Sequence, residues 1–207
     1  MIDIELCVFD VDGVLVNSKN LHYPSTAMAI AEYGYTYSRV EDENFGTIPT
    51  RKKLESLAEE NKISYENIED IWKLKEKYSW ELFDQNVICN TKIKDLFHKL
   101  KNSNIKIALA SNARYSFIDK VIELLDIHDY IDLVLSAQEI IPKPDPEIYL
   151  MAMKILGVSP DKTLIFEDSE VGKAAAYASG ANVYEVSSYD ELSSSIFNEN
   201  ETYSTSR

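Results

Sequence analysis

The chain has 207 residues, room for one sizeable domain with a smaller insert but not for two full domains. Hydrophobic residues make up 45% and charged residues 27%, the balance of a globular chain that buries a core. The formal net charge of −14 argues against nucleic acid and against anionic membrane as partners.

In chain order, Met1-Ile2-Asp3-Ile4-Glu5 carries acids where a secretory leader carries Lys or Arg, so no targeting peptide is expected. No apolar run approaches the roughly 20 residues that span a bilayer, and a cytoplasmic location is expected. Two widely spaced cysteines, Cys7 and Cys89, do not make a disulfide framework. Cys7 lies inside an apolar run and is expected to be buried and reduced.

Leu6 to Phe9 reads as a buried strand that runs into Asp10-Val11-Asp12-Gly13. The stretch 17–86 carries helical periodicities and no convincing strand. It reads as a helical insert. Ile93, Leu96, Phe97 and Leu100 then make one helical stripe, and Ile105 to Ala110 a strand that ends in Ser111-Asn112. Ile118, Val121, Ile122 and Leu125 form a second stripe, followed by a possible strand over Leu133 to Leu135. Beyond the rigid Pro142-Lys143-Pro144-Asp145-Pro146 segment, Ile148, Met151, Ala152, Ile155 and Leu156 predict a helix closed by Gly157. Thr163 to Phe166 is another strand, running into Glu167-Asp168-Ser169. The helix from Ser169 closes near Gly180, and Val183 to Val186 is the last strand.

Strands alternating with amphipathic helices predict an α/β fold, a Rossmann-like parallel sheet flanked by helices with an all-helical subdomain inserted. The expected organisation is a core from 1–16 and 87–197, a helical cap over 17–86 and a disordered tail over 198–207.

Four polar clusters fall at strand ends or on the rigid loop, and ligands of open parallel sheets bind at that edge. Asp10 and Asp12, two apart on a turn, can face one site, although acidic turns are also common as plain structure. Ser111-Asn112 can hold phosphate oxygens or cap a turn. Lys143, between prolines, can aim a cation at an anionic ligand or stand solvated on a stiff loop. Glu167 and Asp168 supply carboxylates of the kind Mg²⁺ prefers, or cap a helix. In so acidic a chain, an anionic substrate needs a local cation, and Lys143 is the candidate.

The segments DVDGV, the strand ending in Ser-Asn, KPDPEIY and FEDSEVGKAAAYASG, in that order, resemble the four motifs of the haloacid-dehalogenase-like hydrolase superfamily. The branch they resemble contains β-phosphoglucomutase and small-metabolite phosphatases. The resemblance implies Asp10 as the nucleophile that becomes an aspartyl-phosphate and Asp12 as general acid and base. It implies Mg²⁺ held by Asp10, the Val11 carbonyl next to Asp12, and Asp168, with Glu167 acting through a water or an indirect contact. Ser111, the Asn112 N–H and Lys143 would bind the phosphoryl group, and His22 and Arg51 would bear on substrate choice. The implied activity is a phosphatase for a small phosphorylated metabolite such as a sugar or polyol phosphate. A phosphomutase and a non-catalytic phospho-ligand module are the alternatives, and a monomer or weak homodimer is the expected state. An aspartate at position 12 argues against dehalogenation. Phe45 before Gly46, where a mutase is expected to carry lysine, argues against the mutase. Two further departures are Val87–Thr91, where relatives often have Pro-Gly, and Pro142 ahead of Lys143.

Overall fold

The structure, a computed structural model, describes residues 3–46, 48, 50–86, 88–90 and 92–197, and the backbone alone for residues 19, 84–86, 88 and 89. The tail expected to be disordered, 198–207, lies outside the described residues, as do Val87 and Thr91. In chain order the elements are β1 (Leu6–Phe9), β2 (Val16–Asn17), α1 (Lys19–Ala31), α2 (Arg39–Phe45), α3 (Thr50–Glu59) and α4 (Ile68–Asn86). Next come β3 (Ile88–Cys89), α5 (Ile93–Asn102), β4 (Lys106–Ser111), α6 (Tyr115–Leu125) and β5 (Leu133–Ser136). The chain continues through α7 (Glu147–Leu156), β6 (Thr163–Glu167), α8 (Glu170–Ala178) and β7 (Asn182–Glu185). It divides into two compact units, Met1–Asn17 with Ile88–Arg207, and Ser18–Val87.

The first unit is built on a five-stranded parallel sheet in the order β5-β4-β1-β6-β7. Its central strand is wholly apolar because both faces are covered, and all four residues Leu6–Phe9 are fully buried. On one face Leu6 and Val8 join Ala108, Ala110, Ile165 and Val183 in a core completed by Ile148, Tyr149 and Ala152 of α7 and by Ala175 and Ala176 of α8. On the other, Phe9 stacks on Phe166 with ring centroids 4.4 Å apart and meets Phe97 of α5 at 4.9 Å. Cys7 is buried as a free thiol, and burial pushes its pKa up. Phe9 is level with Leu109 and Phe166 in the register, so the residues that follow emerge together at one edge.

Two features were not anticipated. Val16–Asn17 and Ile88–Cys89 pair antiparallel across the start and end of the insert. Just beyond them, the Asn90 amide donates to the carbonyls of Leu192 (2.7 Å) and Tyr189 (3.0 Å), while Lys99 Nζ donates to the Ser194 carbonyl. The end of the described chain is thus tied to the segment that follows the insert. The buried face of α7 also differs from expectation. Ile148, Tyr149, Ala152 and Met153 are buried, whereas Ile155 is 55% exposed. Nearly every residue of EIYLMAMKIL is apolar, so periodicity alone left the angular position of the stripe undetermined.

The second unit consists, among its described elements, of helices. Ala29, Ile30, Leu54, Leu57, Ile68 and Ile71 pack together with Tyr37 as its core. Ser38 caps α2 in a reciprocal box with Glu41, whose carboxylate also accepts from Tyr35 and from Lys62. Asp42 Oδ1 accepts from Lys53 at 2.7 Å and from the Tyr37 hydroxyl at 2.9 Å.

Candidate active site

Asp10 follows β1, and its backbone N–H still donates to the Phe166 carbonyl at 3.0 Å, which holds it against the end of β6. Glu167 ends β6 and is completely buried. Lys143 lies between them. Its ammonium donates to Asp10 Oδ1 at 2.6 Å and to Glu167 Oε2 at 2.7 Å, and its side chain is only 3% exposed. One oxygen from each of Asp10, Glu167 and Asp168 lies within 4.8 Å of the others, and two of these three carboxylates hold the lysine.

The backbone of Lys143 is fixed as firmly as its side chain. Asn112 accepts from the Lys143 N–H at 2.9 Å and donates Nδ2 to the Lys143 carbonyl at 3.2 Å. This pair of bonds imitates a strand pairing and joins the proline-bounded loop to the end of β4. Ser111, the buried last residue of β4, accepts from the Ala113 N–H at 3.2 Å. It shapes the turn while its hydroxyl hydrogen stays available to a ligand.

Glu167 is saturated. Oε2 accepts from Lys143 and from the Tyr149 hydroxyl at 2.6 Å, and Oε1 from the N–H groups of Asp168 and Ser169 and the Ser169 hydroxyl. Burial favours its neutral form, but Lys143 and the other donors outweigh that effect and hold it below the ordinary carboxylate range. Asp10 goes the opposite way. Burial, helped by the charges of Glu167 and Asp12 and opposed by Lys143, raises it to about 8. Lys143 itself is disfavoured as a cation by burial, yet the two carboxylates hold it above its ordinary value.

Two glycines make the close packing possible. A Cβ on Gly13, where φ is +91°, would lie 2.3 Å from Asp168 Oδ2, and one on Gly172 would lie 2.0 Å from the Glu167 carboxyl carbon. Gly13 stood out in the sequence, whereas Gly172 and Tyr149 did not. A glycine inside the helical run EVGKAAAYA was the available signal for Gly172. Ser169 N-caps α8 by accepting from the Gly172 N–H at 3.0 Å, so capping and site-building coincide there.

The other expected residues are placed as follows. Asp12 is half-buried on the turn after Asp10. The Val11 carbonyl accepts from Leu15 N–H (3.0 Å) and Val16 N–H (3.3 Å), so its lone pairs are committed to that turn. His22 is exposed on α1 and Arg51 exposed on α3, both in the helical unit. There Arg51 pairs with Glu69 at 3.2 Å and Glu55 at 3.7 Å.

A parallel sheet with a lysine clasped between carboxylates at its carboxyl edge, and a helical unit inserted after the first strand, defines an α/β enzyme built for anionic chemistry. Residues 7–186 match the haloacid dehalogenase-like hydrolases, and the chain belongs to that family. It is 29% identical over 178 residues to the phosphorylated carbohydrates phosphatase of Thermotoga maritima, covering 86% of this chain and 82% of the relative. It is 28% identical over 183 residues to the β-phosphoglucomutase of Bacillus subtilis, 84% of this chain and 79% of that one. The crystal structure of β-phosphoglucomutase from Clostridium difficile superposes with a TM-score of 0.72 at 26% identity, covering 91% of this chain and 93% of that chain.

Proposed function

We propose that this chain is a magnesium-dependent phosphatase for a small phosphorylated metabolite of the sugar or polyol phosphate type, working through an aspartyl-phosphate on Asp10. The observation that carries the reading is the position of Lys143, buried and bonded to Asp10 beside a three-carboxylate cluster. The relatives named as a phosphorylated carbohydrates phosphatase and a probable pseudouridine-5′-phosphatase support a small phosphorylated metabolite, and the first of them favours a phosphorylated carbohydrate.

In this reading a carboxylate oxygen of Asp10 attacks phosphorus in line while the ester oxygen departs with a proton from Asp12. Asp12, now a base, takes a proton from the water that hydrolyses the acyl phosphate and releases inorganic phosphate. Lys143, the Ser111 hydroxyl and the Asn112 N–H neutralise and orient the phosphoryl oxygens, which is most of what such a transfer requires. The donor set for a metal is oxygen only, which suits a hard cation such as Mg²⁺. Glu167 already accepts five hydrogen bonds, so the ligands fall to Asp10, Asp168 and the Asp12 backbone, with Glu167 as the organiser beside them. When bound, the cation supplies charge neutralisation for the nucleophile and the phosphoryl group. The helical unit acts as a cap that selects the ester, with His22 and Arg51 as its candidate contacts. Arg51 would have to leave Glu55 and Glu69 to serve.

The test is phosphate release from a panel of sugar and polyol phosphates with Mg²⁺, beside EDTA and Asp10→Asn controls. Release that both controls abolish is expected. Conversion of a sugar 1-phosphate to its 6-phosphate with no phosphate released would replace the reading with a mutase. Undiminished release by Asp10→Asn would refute the site.

A further inference from the structure

The Tyr149 side chain is wholly buried in α7, six residues beyond Lys143, and no step above uses it. Its hydroxyl donates at 2.6 Å to Glu167 Oε2, the same oxygen that Lys143 reaches at 2.7 Å. Its ring also lies under the lysine, with Nζ 4.9 Å from the centroid, within the range of a cation–π contact. One aromatic side chain therefore touches both partners of the buried pair.

The geometry points to Tyr149 as a positioning residue that sets how strongly Glu167 holds Lys143, and so how much of the ammonium is available to Asp10 and to the phosphoryl group as it transfers. This rests on the role given to Lys143 under the proposed function. The physical basis is competition for one acceptor. Glu167 Oε1 is occupied by the Asp168 N–H and by the Ser169 N–H and hydroxyl, so those donors cannot serve Oε2. Without the phenol, Lys143 would be the only described donor to a buried, charged oxygen. A buried carboxylate oxygen served by one cation binds it more tightly than one served by two donors. The ammonium would then be drawn toward Glu167 and away from Asp10. Burial and the negative charges of Glu167 and Asp10 push the phenol well above its ordinary value, so it stays protonated and remains a donor. The ring face beneath Nζ limits where the lysine can settle.

The experiment is Tyr149→Phe, which keeps the ring and its packing and removes only the donor. It is assayed alone and with Glu167→Gln, at a temperature where circular dichroism shows every variant folded. About a tenfold fall in kcat, with kcat/KM falling equally, is expected of an interaction that acts on the transferring group. In the Glu167→Gln background the same change should cost less than twofold, because the oxygen for which the two donors compete has lost its charge. Two results would overturn the inference: a Tyr149→Phe enzyme within twofold of wild type in kcat, or effects of the two substitutions that multiply independently. A rise in KM alone would also overturn it. Asp10→Asn is run alongside. If Asp10→Asn is dead and Tyr149→Phe unimpaired, this inference alone fails, whereas an active Asp10→Asn removes the proposed site itself. Calorimetric titration of orthovanadate, which mimics the five-coordinate phosphoryl group, gives a readout independent of turnover. Tyr149→Phe should weaken vanadate about tenfold and leave sulfate binding unchanged, and equal vanadate affinity would again overturn the assignment.

Discussion

Lys143 in the sheet unit and Lys53 in the helical unit each reach an aspartate at nearly the same distance, 2.6 Å to Asp10 and 2.7 Å to Asp42. Their surroundings are opposite. Asp42 receives two donors, Lys53 and the Tyr37 hydroxyl, at the partly open edge of a helix packing. Lys143 is, among the described residues, one cation bonded to two of three clustered carboxylates, so acceptors outnumber cations there. Contact distance therefore says little about what an ion pair does. The first pair fastens a helix, and the second leaves surplus negative charge of the kind that a bound cation neutralises.

The sharpest way to break this comparison is to remove each cation. Lys143→Met should lower phosphate release about a thousandfold, in line with the loss of a preorganised charge at the reacting group. Lys53→Met should leave release within twofold and cost about 1 kcal/mol of stability, read from thermal melts of the same preparations. Comparable activity losses in the two variants would dissolve the distinction. Gly172→Ala should reduce kcat less than Lys143→Met does, while costing about 2 kcal/mol of stability, because its methyl group must displace the Glu167 carboxyl. Normal stability with normal kcat would mean that Glu167 has latitude the packing does not show. The smallest effect is electrostatic. Hydrogen bonds from Tyr35, Lys62 and Ser38 hold Glu41 down at about 2, against an ordinary 4.5. A lowered carboxylate pKa stabilises the fold above pH 4.5, and that contribution fades as pH falls toward 2. The melting-temperature gap between wild type and Glu41→Gln should thus be widest near neutrality and close between pH 4.5 and 2. A gap independent of pH would assign the effect to shape rather than charge.

Much of the sheet was legible because a parallel sheet covered on both faces demands short, unbroken apolar runs, and LCVF, IALA and TLIF each run straight into an acid or a hydroxyl. The polar residues at their ends were legible for the same reason, since a strand that stops at Asp10, Ser111 or Glu167 delivers them to one edge. What remained hidden depended on angle or on distance along the chain. Tyr149 was missed because α7 is apolar nearly all round, so its buried face is chosen by the sheet and not by its own sequence. The two-residue pairing of β2 with β3 carries no pattern that periodicity can detect. Asn90 stood out only as a departure from Pro-Gly, and its role depends on carbonyls a hundred residues later.

The position of β1 in the middle of the sheet has a consequence for the order of events at the ribosome. Its neighbours are β4 and β6, so β1 cannot be flanked on both sides until residue 166 has been made. At the usual pace of synthesis that is a wait on the order of ten seconds. Through that interval Leu6 to Phe9 is a bare apolar segment with at least one open edge, the kind that chaperones shield. Asp10, translated before both strands that flank β1, waits on them for the site it helps to build.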